Sequence, residues 1–520
     1  MSDTTSEGGH QEDKADRGRN SVAARAMGWF DSRLGLSHQM LRPAPQYSIN
    51  PFYWLGALAT VAFVIQGVTG GIMMLYYVPS PTQAYASTLY IFQNVSYGTF
   101  LQTIHLYTAY AMIMLAFMHM MRGYFVSVHK KPRELMWITG MVMGFITLGF
   151  GFTGYLLPWT IVSKSATDVG IGMMGALPQP LASFLTFLIV GSGSDAGELL
   201  RFFDLHVVVL PAVLLVLLVV KMYMLEAHGV SEPTTGTESL PPKKRRLIPI
   251  FPDVSFYLVE LAALFGSAVI IISVIFPLTL PPEYSASLAG QSVSQPDWYF
   301  LWVYQILKIS AFEEAGLSVA LSVVTLVFIV LIFLPFIDRG KTRSIRRRMV
   351  YVTLGAIFVA EVAVLALWGY LTPGIAIPNE TAGLVLGGTA LLVTLGSVFA
   401  YKAVFGGLRG LAKKTEHGGA PVAQTPSLVA PRAVSSRSAA LWTAGIFICL
   451  LVAGAFFIGN SIDGVIALRL GTAAALQSFA VSLAGLSLTV IGTMFMLYRL
   501  DLGTGSIRRR VRAFELGWRE

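Results

Sequence analysis

Ten apolar stretches, each long enough to cross a bilayer, divide the chain. They are residues 51–77, 100–126, 136–157, 203–227, 254–276, 317–337, 349–371, 381–404, 439–459 and 472–497. A span of the hydrocarbon core needs about 20 mostly apolar residues. Inside that solvent every backbone N–H and C=O must find its partner within the protein, which leaves helices as the form such stretches take. The fold expected is all-α: a polytopic transmembrane helical protein of about ten spans. Charged residues make up 12% of the 520 and hydrophobic ones 54%. A soluble domain carries about 25% charge, so there is little room for a large soluble domain.

The loops set an orientation. SVHKKPREL, PPKKRRL, DRGKTRSIRRR, GLRGLAKKTEH and the C-terminal SIRRRVRAFELGWRE are basic. The alternate loops VPSPTQAYAS, LTPGIAIPNET and GNSIDGV are nearly free of Lys and Arg. Lys and Arg mark the cytoplasmic side, so a prokaryotic cell membrane with both termini cytoplasmic is expected. The net charge of +9 falls in these loops. It reads as membrane orientation, with no nucleic acid implied. The polar tail 1–45 opens on MSDTTSEGGHQEDKADRGRN and lacks the apolar core of a signal peptide. Residues 405–438 read as a basic cytoplasmic linker. The loops 158–200 and 277–316 contain amphipathic, helix-length pieces suited to the membrane surface. The single Cys449 excludes disulfides, thiolate-held iron–sulfur clusters and haem attached through a Cys pair.

Three of the eight His fall deep in spans: His105, His119 and His206. His105 and His119 are 14 residues apart, close to four helical turns, so both project from one face. The rise separates them by ~21 Å along the axis, a spacing that places two ring-sized cofactors at two depths of a bilayer. A lone His inside a membrane also serves as a hydrogen-bonding contact between helices. A pair at this spacing, with a third His on another span, favours haem ligation. Gly56 and Gly70 share the 14-residue spacing, as do Gly140 and Gly154. A flat macrocycle between helices needs places without a Cβ; small residues at helix contacts are the competing reading.

The stretches FVIQGVTGGIMMLYY, HKKPRELMWITG, GFGFTGYLLPW, RFFDLHVVVLP and QPDWYFLWVYQILK resemble cytochrome b of the quinol-oxidising cytochrome bc/bf complexes. The likeness is greatest to the chloroplast-type form, with its two polypeptides fused, and covers roughly residues 40–375. It implies an N-terminal dihaem four-helix bundle at 46–235, a C-terminal cytochrome b domain of three spans at 236–375, and an extension at 376–520 with three further spans. It implies two b-type haems: the outer one on His105 and His206, the inner one with His119 as a ligand. Arg122 matches a family Arg near haem propionates, although a snorkelling Arg at a helix end reads equally well. In QPDWY, Asp297 matches the family's acidic proton acceptor for quinol, with Pro296, Trp298 and Tyr299 shaping the pocket. Many members carry Glu where Asp297 stands.

The resemblance further implies that quinol is oxidised near the outer face. One electron passes to a separate Rieske iron–sulfur protein and the other crosses the membrane through the two haems to a second quinone site, contributing to proton translocation. A cytochrome or other electron acceptor, further complex subunits, membrane lipids and a second copy of the chain are the partners implied. A dihaem membrane anchor exchanging electrons between quinone and another redox enzyme, without bifurcation, is the alternative function. A transporter is disfavoured by the His spacing and the lack of an inverted repeat.

Four departures stand out. Trp54 replaces the Cys that carries an extra covalent haem in the chloroplast-type protein, so no covalent haem is expected. Gln102 stands where Arg is common, three residues before His105. The last three spans carry no redox motif. Lys221 occupies the position of the inner haem's second ligand, 15 residues after His206. In an ideal α-helix 15 residues leave Lys221 ~60° from the His206 face, still able to face the bundle. Met222 points elsewhere, and His228 lies about two turns too far. Lys221 reads either as a snorkelling cation or as a neutral amine ligating the inner haem opposite His119; otherwise that haem is five-coordinate or lost.

Overall fold

The computed structural model describes residues 43–402, apart from 46–47, 178, 192, 232–246, 288–294 and 341. The spans expected at 439–459 and 472–497, the linker, Cys449, the first 42 residues and the basic C-terminal stretch lie outside the described residues. The chain divides into two units, one holding residues 43–51 and 247–268 among those described, the other 52–231 and 269–402. In the first, β1 (Pro43–Pro45) pairs antiparallel with β2 (Leu247–Pro249), Ala44 opposite Ile248. Residues 43–45, read from the sequence as the end of the polar tail, are thus part of a short strand pair.

All eight spans expected before residue 403 are helical. They are α1 (Leu55–Met74), α3 (Gly98–Phe125), α4 (Glu134–Leu156), α7 (Asp195–Asp204) continuing into α8 (Leu210–His228), α9 (Ser255–Ile275), α12 (Leu317–Ile332), α14 (Met349–Leu371) and α15 (Asn379–Tyr401). Seven of these are long and apolar enough to cross a membrane by themselves. The eighth, α12, has 16 residues and is followed after Phe333 by the short α13 (Leu334–Ile337). Pro335 in the first turn of α13 lacks the N–H needed to carry the helix through. Large apolar side chains lie exposed along these helices, for example Val216 at 62% and Tyr223 at 76%. On a helix whose solvent is lipid, such a surface is the stable one.

The two longer loops carry helices, as their amphipathic pieces led us to expect: α5 (Ile161–Gly175), α6 (Leu181–Ile189), α10 (Leu301–Leu307) and α11 (Ser310–Ala315). The connection after α1 also holds a helix, α2 (Ala84–Asn94), which the sequence pattern did not announce. Thr160 caps α5 with a reciprocal capping box to Ser163, satisfying two orphan backbone donors. Ala84, Leu156, Trp159, Leu199 and Phe202 bury one another beneath these connections.

Within the second unit the two halves of the chain are held by direct contacts. At one end of the bundle Leu278 N–H donates to Thr103 Oγ1 (2.9 Å), and Tyr107 Oη donates to the Phe276 carbonyl (2.7 Å). Midway, the Phe145 and Phe328 rings meet edge to face at 4.8 Å. At the other end Trp137 Nε1 donates to Leu331 O (2.8 Å) and Tyr124 Oη to Tyr351 O (2.7 Å).

Candidate functional site

His105 and His119 project from α3, and His206 and Lys221 from the helix containing α7 and α8. Each of the four rests over a glycine of a neighbouring helix. A Cβ on Gly70 would lie 3.2 Å from His105 Cε1, one on Gly154 2.5 Å from His206 Cε1, and one on Gly56 3.1 Å from His119 Cε1. A Cβ on Gly140 would lie 2.7 Å from Lys221 Nζ. The glycines expected from their spacing therefore make room for the expected donors themselves, and Lys221 stands to Gly140 as His206 stands to Gly154.

Between α7 and α8 the helix widens. Leu205–Val209 forms a π turn in which Leu210 N–H reaches back five residues to Leu205 O. Pro211 follows in the first turn of α8; it has no N–H to offer the carbonyl four residues back, and its ring would press on that carbonyl. The wider turn relieves this and absorbs one residue, a device common at functional sites. The 15 residues from His206 to Lys221 then advance like 14 α-helical ones, about four turns and ~21 Å. The 60° misalignment expected for an ideal helix is thus corrected: both side chains meet α4 at glycines that are themselves 14 apart. Met222 faces outward, 54% exposed. His228 is exposed, its Nδ1 2.9 Å from Met224 O.

The His105 and His206 rings meet at an angle of 62° with centroids 6.3 Å apart. Their Nδ1 atoms lie 2.8 Å from Thr69 Oγ1 and 3.1 Å from Thr153 Oγ1. Each threonine spends its own proton on a carbonyl of its helix, Thr69 on Ile65 O (2.7 Å) and Thr153 on Gly149 O (2.8 Å). The hydroxyl oxygens therefore accept from Nδ1–H, and each Nε2 keeps a lone pair. A ring oriented this way through its far nitrogen is the usual arrangement of a metal-ligating His. The gap suits one metal ion with donors at about 2 Å on either side.

At the other depth, His119 Nδ1 is buried with no hydrogen-bond partner among the described residues, and Lys221 and Arg122 are its charged neighbours. The Arg122 guanidinium stacks 3.9 Å over the Tyr53 ring. Each depth thus presents one nitrogen-bearing side chain from α3 and one from the α7–α8 helix, a donor chemistry that fits a metal-bearing group.

The PDWY segment lies against α3 on the His105 side. Pro296 and Asp297 are partly buried and Tyr299 is 7% exposed. Gly151 admits the Tyr299 ring, which a Cβ would approach to 2.9 Å. Tyr110 Oη donates to the Asp297 carboxylate, at 2.9 Å from Oδ1 and 2.8 Å from Oδ2, and Trp298 N–H donates to Oδ1 at 3.2 Å. Burial pushes the Asp297 carboxyl above its usual range, partly offset by these two donors. Tyr110, Thr69 and Thr153 escaped the sequence reading. The threonines had a signal: each immediately precedes a glycine of the 14-residue pairs. Thr139 likewise precedes Gly140, and only before Gly56 does the series break, at Leu55.

Fold and site together define a polytopic helical membrane protein that presents paired nitrogen donors at two depths. Residues 110–282 match the family described as cytochrome b(N-terminal)/b6/petB, and residues 291–385 the family cytochrome b(C-terminal)/b6/petD. The chain is 33% identical to the cytochrome bc complex cytochrome b subunit of Chlorobaculum thiosulfatiphilum, over 66% of this chain and 80% of that protein. It is 38% identical to cytochrome b6 of Heliobacterium mobile, over 40% of this chain and 100% of that one. A solved structure titled "Hyperthermophilic respiratory Complex III" shares the fold, with a TM-score of 0.58 and 24% identity, over 74% of this chain and 96% of that chain. The chain belongs to the cytochrome b family, with the family's N- and C-terminal domains fused in one polypeptide. Membership brings haem iron and electron transport in a membrane.

Proposed function

We propose that this chain is the dihaem cytochrome b subunit of a respiratory, bc-type quinol-oxidising complex. The observation that carries the reading is on α3. His105, oriented for a metal, and Tyr110, bonded to the carboxylate of the PDWY segment, stand five residues apart, so one helix carries a metal-oriented His and the hydroxyl that holds the proton acceptor Asp297. In this reading His105 and His206 hold the outer b haem, and His119 and Lys221 the inner one. When bound, haem supplies one-electron redox chemistry at each depth. Asp297 takes a proton from quinol near the outer face, and burial favours that acceptance by disfavouring the charged form. Pro296, Trp298 and Tyr299 wall the pocket, and Arg122 serves the propionates of the inner group. A Rieske iron–sulfur protein receives the other electron; it and further subunits are the partners, with a second copy of the chain by family resemblance.

The Lys221 assignment rests on Gly140, cleared beneath Nζ as Gly154 is beneath His206. Ligation uses the neutral amine, whose lone pair serves as an imidazole nitrogen does. Lys221→Ala should abolish the low-spin signal of one haem, and Lys221→His should keep it. An unchanged low-spin spectrum with unchanged haem content in Lys221→Ala would sink ligation.

The function itself is tested on the purified complex. A pyridine-haemochrome assay should count two b haems per chain, and quinol should reduce them in wild type but not in Asp297→Asn. A preparation without haem, or one that quinol cannot reduce, overturns the reading. A Rieske protein should co-purify; its consistent absence would favour the non-bifurcating anchor.

A further inference from the structure

Tyr110 lies five residues beyond His105 on α3, which turns it ~140° from the His face and directs it to the segment after residue 294. Its ring is boxed by Trp298 (centroids 6.0 Å), Tyr299 (6.3 Å) and Tyr107 (6.3 Å). Its one hydroxyl spans both oxygens of Asp297.

An ionised carboxylate offers about four lone-pair sites. The single Tyr110 proton is shared between the two oxygens, and Trp298 N–H takes a further site on Oδ1 alone. Oδ2 therefore keeps the freer lone pair. Asp is also one methylene shorter than the Glu of many relatives, so its carboxylate reaches less far and turns less freely.

Resting on the quinol reading above, we propose that Tyr110 is a positioning residue that clamps the short Asp297 side chain and leaves Oδ2 as the oxygen that accepts the quinol proton. As the quinol O–H bond breaks, the Oδ2–H bond forms, the electron pair stays on the quinol oxygen, and the carboxylate becomes neutral. The other titratable groups facing Asp297 are Tyr155 of α4 and Tyr299 of its own segment.

The clamp has a signature that packing alone lacks. A donor bonded to the charged form of a carboxylate favours that form. Removing the Tyr110 hydroxyl raises the pH at which Asp297 becomes a competent base, so the acid limb of the rate profile moves up.

The test uses the complete complex with duroquinol as the probe and the rate of b-haem reduction, against pH, as the readout. Tyr110→Phe keeps the boxed ring and removes only Oη. Expected are an acid limb moved up by about one pH unit, a rate about tenfold lower below that limb, and little change in the half-saturating duroquinol concentration. Adding Asp297→Glu to Tyr110→Phe should recover most of the rate, because the longer side chain reaches without the clamp. A Tyr110→Phe profile that superposes on wild type overturns the proposal and leaves the quinol reading standing. So does a uniform loss at all pH accompanied by lost dithionite-reducible haem, which marks Tyr110 as structural. Failure of duroquinol to reduce the wild-type haems overturns the quinol reading and this inference with it.

Discussion

At the scale of single residues, the site is built by subtraction as much as by ligands. Gly154 is the tightest case: any Cβ there meets His206 Cε1 at 2.5 Å, closer than real Cβ contacts come, so Gly154→Ala must displace the ring. A Cβ on Gly67 of α1 would meet no atom of another described segment within 4 Å, and Gly67→Ala is the matched control. We expect Gly154→Ala to lose most of one haem and Gly67→Ala to keep both, as read by pyridine haemochrome. The threonines act through the far ring nitrogen. Removing such a partner typically costs 10–100-fold in metal affinity, so Thr69→Val should weaken haem retention by roughly that factor in a transfer assay to apomyoglobin. The histidines and glycines were legible in the sequence because a helical period maps spacing directly onto a face. Tyr110 was not, because its partner lies 187 residues away and no local pattern joins them.

At the scale of elements, the π turn Leu205–Val209 reconciles a 15-residue spacing on one helix with a 14-residue spacing on the other. It makes deletions informative. Removing Val208 together with Pro211→Ala leaves a regular α-helix with 14 residues between the donors, and both should stay over their glycines. Removing Val216 instead keeps the π turn and rotates Lys221 by ~100° relative to His206. We expect the first variant to retain both haem signals and the second to lose the inner one. Equal spectra from the two deletions would show that register does not matter. Among the described residues the eight spans expected from apolar runs are helical, with 317–337 broken at Phe333, whereas ideal helix geometry gives no sign of the π turn. Pro211 was its visible trace.

At the scale of the whole molecule, a buried ionic cluster ties the loop after α3 to the segment between α13 and α14. Asp338, 4% exposed, accepts from His129 Nε2 (2.9 Å), Lys130 Nζ (2.9 Å) and Arg348, which also reaches Ser127. Lys130 further donates to Gly340 O (2.6 Å) and Thr342 O (2.8 Å). Neutralising the hub leaves two buried cations, Lys130 and Arg348, without their carboxylate, so Asp338→Asn should cost roughly 3–5 kcal/mol, read as a lower thermal midpoint in detergent. Burial raises the Asp338 carboxyl, but its hydrogen bonds from Lys130 and His129 and the Arg348 charge leave it below its usual range. Burial also drives His129 down to about 4, against the pull of Asp338. Between the ordinary His value of about 6.5 and that value, the unfolded chain binds the proton that the folded one refuses. Stability should therefore fall as pH drops from about 6.5 towards 4, and His129→Gln should flatten that part of the curve. Nothing in the sequence marked this cluster, since HKKP and the Asp338 region read separately as ordinary basic loops.

The contacts that join the two halves bear on a question of assembly. Ring packing, backbone-directed hydrogen bonds and the Asp338 cluster hold the halves together without using peptide bonds. Covalent continuity through residues 232–246 then has another role: it sets a one-to-one ratio of the halves and raises their local concentration far above that of separate chains. Two polypeptides cut within 232–246 and produced together should find each other and load haem, at a yield that depends on their relative dosage. The intact chain is free of that dependence.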